Sequence, residues 1–135
     1  MLKKIFYNSL ILSLFIIILF SQACDDTLNQ IDNSFIPEQD ISFNDHLLRV
    51  FELKCNNAGC HNSQFRAGGV SLASCAEATE SPLVVFPHEP DNSSLIWSIE
   101  NQSGASQMPP LGYQPLTENQ RRAIRTWIEE GAKCN

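Results

Sequence analysis

Cys55-Asn56-Asn57-Ala58-Gly59-Cys60-His61 places two thiols five residues apart, with an imidazole directly after the second. A disulfide has no use for the adjacent histidine. Two thiols and an imidazole can ligate a metal ion, or they can serve a haem: the thiols form thioethers to its vinyl groups and the imidazole becomes an axial ligand of its iron. A histidine following the second thiol is tethered to the ring it must face. The usual attachment motif, C-x-x-C-H, has two intervening residues, whereas four stand here. In a regular α-helix, residues three apart differ by about 60° in azimuth and residues five apart by about 140°. Both thiols can therefore meet one edge of a haem only if Asn56–Gly59 loops out. Two asparagines and a glycine tolerate the left-handed backbone such a loop needs.

A second axial ligand must come from elsewhere in the chain. Met108 sits in Gln107-Met108-Pro109-Pro110, inside a long irregular stretch, and is the only methionine outside the first residues. The prolines restrict the backbone beside it and would hold a thioether toward iron. The same residue could be a core gap-filler. His46, beside the apolar face of the first helix, and His88, in Pro87-His88-Glu89-Pro90, are the competing ligands. A different set, Cys55, Cys60, His61 and Cys75, could hold structural zinc.

These residues need elements to position them. Phe43–Lys54 reads as a helix: Ser42 can cap it, Asp45 follows three residues on, and Leu47, Val50, Phe51 and Lys54 share a face. Gly68-Gly69 reads as a turn, followed by the short alternating segment Val70-Ser71-Leu72. Pro82, Pro87 and Pro90 keep the next stretch extended up to a helix start at Asp91-Asn92-Ser93, with Leu95, Ile96 and Ile99 on its apolar side. Residues 101–116 are a loop by composition. The last helix spans Glu118–Glu130, capped by Thr117, stopped by Gly131 and buried along Ala123, Ile124, Trp127 and Ile128.

The first 23 residues read as a secretory signal. Lys3 and Lys4 precede an apolar run, Leu10–Phe20, and Ser21-Gln22-Ala23 provides the small residues of a cleavage site. Cys24 follows at once, in the manner of a bacterial lipobox, and would carry a lipid anchor. Residues 24–40 are polar and acidic and read as a tether, leaving 41–135 as the folded domain. With Lys3 and Lys4 gone, seven basic residues stand against fifteen acidic ones, a net charge of −8. That balance argues against nucleic acid and suits either a basic protein partner or plain solubility. Export implies an oxidising compartment. If Cys24 is lipidated and Cys55 and Cys60 hold haem, Cys75 and Cys134 remain as a pair, expected to form a disulfide, with two free thiols as the alternative; the last four cysteines could also make two disulfides. No nucleophile–base pair, phosphate loop or paired acid site stands out, and these 135 residues hold no second haem motif such as a dihaem peroxidase would need. The chain is expected not to be an enzyme.

Taken in order, these pieces resemble a known family. Val50-Phe51 precedes Lys54-Cys55, and Gly59-Cys60-His61 is followed by Ala67-Gly68-Gly69-Val70-Ser71-Leu72. Val84-Val85-Phe86-Pro87, Pro90-Asp91-Asn92-Ser93-Ser94-Leu95-Ile96, Met108-Pro109-Pro110-Leu111 and Trp127-Ile128-Glu129-Glu130-Gly131-Ala132 complete the series. Over residues 43–133 the order is similar to a cytochrome c-like domain of the planctomycete type, some members of which have four residues between the cysteines.

The resemblance implies a mostly α, small class I cytochrome c-like helical domain with long irregular loops. Its first and last helices would cross beside the haem, with Phe51 and Trp127 as candidate contacts. It implies one covalent haem c on Cys55 and Cys60, His61 as proximal and Met108 as distal iron ligand, and single-electron transfer between exported redox partners such as a dehydrogenase. Trp97 could donate to a haem propionate or fill a partly buried core position. A glycine more often stands where this chain has His88. The expected location is the cell envelope, lipid-anchored to a bacterial membrane on its periplasmic or outer-surface side. The competing expectation is a haem-free lipoprotein, stabilised by disulfides or zinc, with a binding role.

Overall fold

Ser42 opens the first helical segment by accepting the Asp45 N–H on its hydroxyl at 3.2 Å. The reciprocal bond comes from an unexpected side chain, because the Ser42 N–H donates to His46 Nδ1 at 2.9 Å. That one-residue shift accompanies a π-helical turn, Phe43–Leu47, in which the Leu48 N–H reaches back to the Phe43 carbonyl. Regular helix α1 follows at Leu48–Lys54. The single helix expected over Phe43–Lys54 is thus a wide turn joined to a shorter α-helix.

The computed structural model describes residues 36–135. The expected signal segment, Cys24 and the tether as far as residue 35 lie outside the described residues. After α1 come a 3₁₀ turn at Ala67–Gly69, the short helix α2 (Cys75–Ala78), a second 3₁₀ turn at Pro90–Asn92, then α3 (Ser94–Ile99) and α4 (Glu118–Glu129). No strand occurs among the described residues, and Val70-Ser71-Leu72 is unpaired extended chain. The domain is small and mostly α, with long irregular connections.

Local chemistry accounts for most boundaries. Thr117 and Gln120 form a full capping box at the start of α4, with Gln120 buried alongside the expected apolar stripe. Ser93 behaves differently from a helix cap. Its hydroxyl accepts the Phe86 N–H at 2.8 Å and donates to the Glu89 carbonyl at 3.0 Å, so it stitches the loop before α3 instead of capping it. Helix α2 escaped the sequence reading because four residues carry no measurable periodicity, although Ser74 caps it.

The core gathers around three rings. Phe43 lies 5.7 Å from Phe51 and 5.4 Å from Trp127, centroid to centroid, and all three are fully buried. The sequence reading placed Phe51 and Trp127 at the helix junction; Phe43 is the residue between them. The Trp127 indole N–H is satisfied by the Lys133 carbonyl at 2.9 Å.

The chain ahead of Ser42 belongs to this junction too. Ile36 is buried in the core. Arg122 donates to the Pro37 and Glu38 carbonyls at 3.3 and 3.2 Å. Glu130 accepts the Asp40 and Ile41 N–H groups at 2.7 and 2.8 Å. Residues 36–40, assigned from sequence to the tether, are therefore packed onto α4. One isoleucine beside a proline leaves no periodic signal from which to read that. At the other end, the Asn135 carbonyl accepts the Ser42 hydroxyl and the Asn44 N–H. Cys75 and Cys134 are joined in a disulfide across 59 residues, a loop worth about 4 kcal/mol by chain entropy.

His88 sits at the far end of α4. Its backbone N–H donates to the Ile128 carbonyl at 2.8 Å, and its ring Nδ1 lies 3.0 Å from the Glu129 carbonyl. Both carbonyls belong to the last turn of the helix, and that of Ile128 also accepts the Gly131 N–H at 3.0 Å. The φ of +69° at His88 explains why glycine suits this position. Gly131 has φ +101°, and a Cβ there would stand 2.7 Å from His88 Cε1. Gly131→Ala is expected to destabilise the fold by about 1–3 kcal/mol through strain and overlap. Adding His88→Gly should recover part of that loss, read from urea midpoints of the two variants.

Candidate functional site

Helix α1 ends where the chemistry begins. The Cys55 and Asn56 N–H groups both donate to the Phe51 carbonyl at 2.8 Å, which closes the helix. The chain then turns back through Asn57–Cys60, with the Cys60 N–H on the Asn57 carbonyl at 2.9 Å and Gly59 at φ +82°. The His61 N–H returns to the Cys55 carbonyl at 3.0 Å. The four intervening residues are therefore looped out, and the residues on either side of the motif's turn are hydrogen-bonded together. Asn62, which the sequence reading passed over, secures this loop. Its Oδ1 accepts the Gln64 and Phe65 N–H groups, and its Nδ2 donates to the Asn56 and Asn57 carbonyls. An asparagine after a histidine has no motif value; only the fold shows what it bonds.

A cavity of about 380 Å³ opens beside this loop, within the usual size range for a cofactor site. Cys55, Cys60, His61 and Met108 all line it, with Val70, Leu72, Val84, Leu95 and Ile99 supplying apolar wall. Met108, 47 positions beyond His61 in the chain, is brought there by its loop docking on α3: the Met108 N–H donates to the Ser98 carbonyl at 3.0 Å. Lys54 also reaches the cavity wall. It is 8% exposed, and its ammonium donates to the Pro115 carbonyl at 3.0 Å.

The His61 ring is held in one orientation. Its Nδ1 lies 3.3 Å from the Val70 carbonyl. A carbonyl only accepts, so Nδ1 carries the proton and Nε2 keeps its lone pair for a ligand. That arrangement, with the second ring nitrogen on a backbone carbonyl, is how metal-binding histidines are oriented. The Leu72 N–H holds the His61 carbonyl at 2.8 Å.

The other candidates stand elsewhere. His46 caps the first helical turn and His88 caps α4; neither lines the cavity. The Trp97 indole N–H donates to the Asp91 carbonyl at 2.6 Å, and the residue lies outside the cavity lining, so a propionate contact is not its role. Cys75 is bonded to Cys134 and is lost to the zinc set. Among the described residues no three His, Cys, Asp or Glu side chains converge on a point that could hold a single ion. Cys55, Cys60 and His61 instead each line the cavity.

Two unpaired thiols, an imidazole with a free Nε2, a thioether and an apolar lining suit a haem: the donors are those a c-type haem uses, and the wall is largely apolar. The site is that of a cytochrome-type domain. A family model described as planctomycete cytochrome C matches residues 58–112. Residues 58–112 are thus similar to a planctomycete-type cytochrome c domain. The matched segment contains Cys60, His61 and Met108 and starts after Cys55. No curated protein and no solved structure matches the chain.

Burial pushes the Cys55 thiol up to about 12, helped by nearby Cys60 and opposed by the Lys54 ammonium. Before any thioether forms, the folded chain holds Cys55 as a neutral thiol at pH 8. Iodoacetamide should leave Cys55 largely unmodified there and modify it once the chain is unfolded in urea, as mapped by peptide mass spectrometry. The sign for stability follows: above pH 9 the unfolded thiol ionises while the folded one does not, so the unmodified chain should lose stability from pH 9 upward.

Proposed function

We propose that this chain is an exported c-type cytochrome, anchored by a lipid on Cys24, that passes single electrons between redox proteins of the cell envelope. The observation that carries this reading is the convergence of Cys55, Cys60, His61 and Met108 on one apolar cavity. Cys55 and Cys60 would hold one haem c by thioether bonds, His61 would be the proximal ligand through Nε2, and Met108 the distal ligand. When bound, the haem supplies a one-electron iron couple, and a His/Met pair favours the higher potentials suited to electron transfer.

The chain's own residues would do the rest. Val70 fixes the His61 ring plane through its carbonyl, and the Ser98 carbonyl fixes the Met108 loop. Val70, Leu72, Val84, Leu95 and Ile99 exclude water from the iron side. No proton-transfer pair is needed, in keeping with a carrier and not an enzyme. The chain's acidity favours a basic face on its donor or acceptor, such as an exported dehydrogenase, and disfavours nucleic acid. The disulfide between Cys75 and Cys134 fits an oxidising envelope compartment, on either the periplasmic or the outer-surface side.

Expression of the full chain with a cytochrome c maturation system should yield a c-type visible spectrum that survives denaturing extraction of loose haem. A weak sulfur-to-iron charge-transfer band should be present and should vanish in Met108→Ala. A colourless protein, made where a control cytochrome matures, would sink the reading. Cys24→Ser should move the protein from the membrane fraction to the soluble one; retention in the membrane would remove the lipid anchor from the proposal.

A further inference from the structure

Glu77 carries more bonds than its place in a helix cap requires. It lies in the first turn of α2, and its backbone N–H donates to the Ser74 hydroxyl at 3.3 Å, which accounts for one serine. Yet its Oε2 accepts three hydroxyls: Ser63 at 3.0 Å, Ser71 at 3.0 Å and Ser74 at 3.3 Å. Its Oε1 faces the Arg66 guanidinium at 3.5 Å. The Ser74 N-cap accounts for Ser74 but for neither Ser63 nor Ser71.

Ser71 connects this carboxylate to the haem-binding wall. It is fully buried, and it lies between the two residues that hold His61. Val70 supplies the carbonyl for the His61 ring, and the Leu72 N–H grips the His61 carbonyl. In extended chain, side chains alternate. Val70 and Leu72 turn to the cavity while Ser71 turns to Glu77. With no neighbouring strand to hold it, this three-residue segment is pinned on its outer side by the Ser71 hydroxyl. Ser63, two residues past His61, is drawn to the same oxygen.

We propose that Glu77 is a positioning residue for the His61 imidazole, acting through Ser71 to hold the Val70 carbonyl against Nδ1. Its carboxyl is held below the usual carboxylate range chiefly by the Ser71 hydrogen bond, with Ser63 next, which fits a charged acceptor at the centre of the cluster. The consequence for iron ligation rests on the reading of His61 as proximal ligand; the placement of the ring does not.

The test is solvent exchange of the His61 Nδ1–H, followed by ¹⁵N NMR on the full chain as isolated, haem-free or in the reduced, diamagnetic haem form. Glu77→Gln and Ser71→Ala should each speed that exchange by about tenfold, the scale of one lost hydrogen bond to a charged acceptor. The double variant should be little faster than either single one, because both act through one contact. Glu80→Ala removes the other carboxylate paired with Arg66 and should leave the exchange unchanged. If haem is bound, the two variants should also raise the reduction potential, since a weaker Nδ1–H bond makes the imidazole a poorer donor to oxidised iron. Should Glu77→Gln fail to fold, Ser71→Ala alone decides, as it removes one oxygen and keeps the carboxylate. Unchanged exchange in Ser71→Ala, or equal acceleration in Glu80→Ala, would overturn the proposal. A colourless protein would fail the cytochrome reading while the exchange still reported on Glu77.

Discussion

Phe43 lies between Phe51 and Trp127, and the rest of the domain hangs on that three-ring junction. It locks the first helical segment to the last helix with aromatic surface, the largest apolar area a short chain can bury per residue. Around it the chain ends are fastened: Glu130 on the backbone of Asp40 and Ile41, Asn135 on Ser42 and Asn44, and the disulfide from α2 to Cys134. A domain with four short helices and no strand among its described residues has few repeating backbone bonds. It therefore relies on a tight junction from which long loops can be held out.

Those loops, with α3 and the end of α1, form the cavity. None of its lining residues comes from α4 or from the segment before Lys54, so the junction and the site occupy different parts of the domain. The loops are held by side chains that act as backbone partners: Asn62 for the turn between the cysteines, Ser93 for the stretch before α3, and Glu77 with its serines for Val70–Leu72. Irregular chain cannot satisfy its own amides and carbonyls, so asparagine, serine and glutamate substitute for the missing ladder. Side-chain bonds thereby fix the irregular parts of the wall, and α3 supplies the helical part through Leu95 and Ile99.

The spacing between the two cysteines shows how local chemistry resolves an apparent mismatch. Five residues on a helix would turn the thiols to different sides. The helix instead stops at Lys54, Gly59 takes a left-handed conformation, and the His61 N–H closes on the Cys55 carbonyl. Cys60 and His61 then begin the next segment from nearly the point where Cys55 left off. The longer insert is accommodated in the turn and leaves both cysteines lining the same cavity.

Much of this was legible in the residues alone. Periodicity located the last helix and its buried stripe, because twelve residues sample more than three turns and bury one face. Thiol–imidazole adjacency and a methionine followed by two prolines pointed to Cys55, Cys60, His61 and Met108, which the fold brings to one cavity. Tertiary structure decided the rest. It put Phe43 beside both Phe51 and Trp127 at the junction, gave His88 to the end of α4, drew Ile36 and the residues after it out of the tether, and brought the Ser71 hydroxyl to Glu77. The ring and Ser71–Glu77 contacts depend on which side chains the chain path brings together, and those of His88 and residues 37–41 on which backbone groups lie within about 3 Å of a side chain distant in sequence. Backbone partners have no letter of their own, so no pattern of residue types could have announced them.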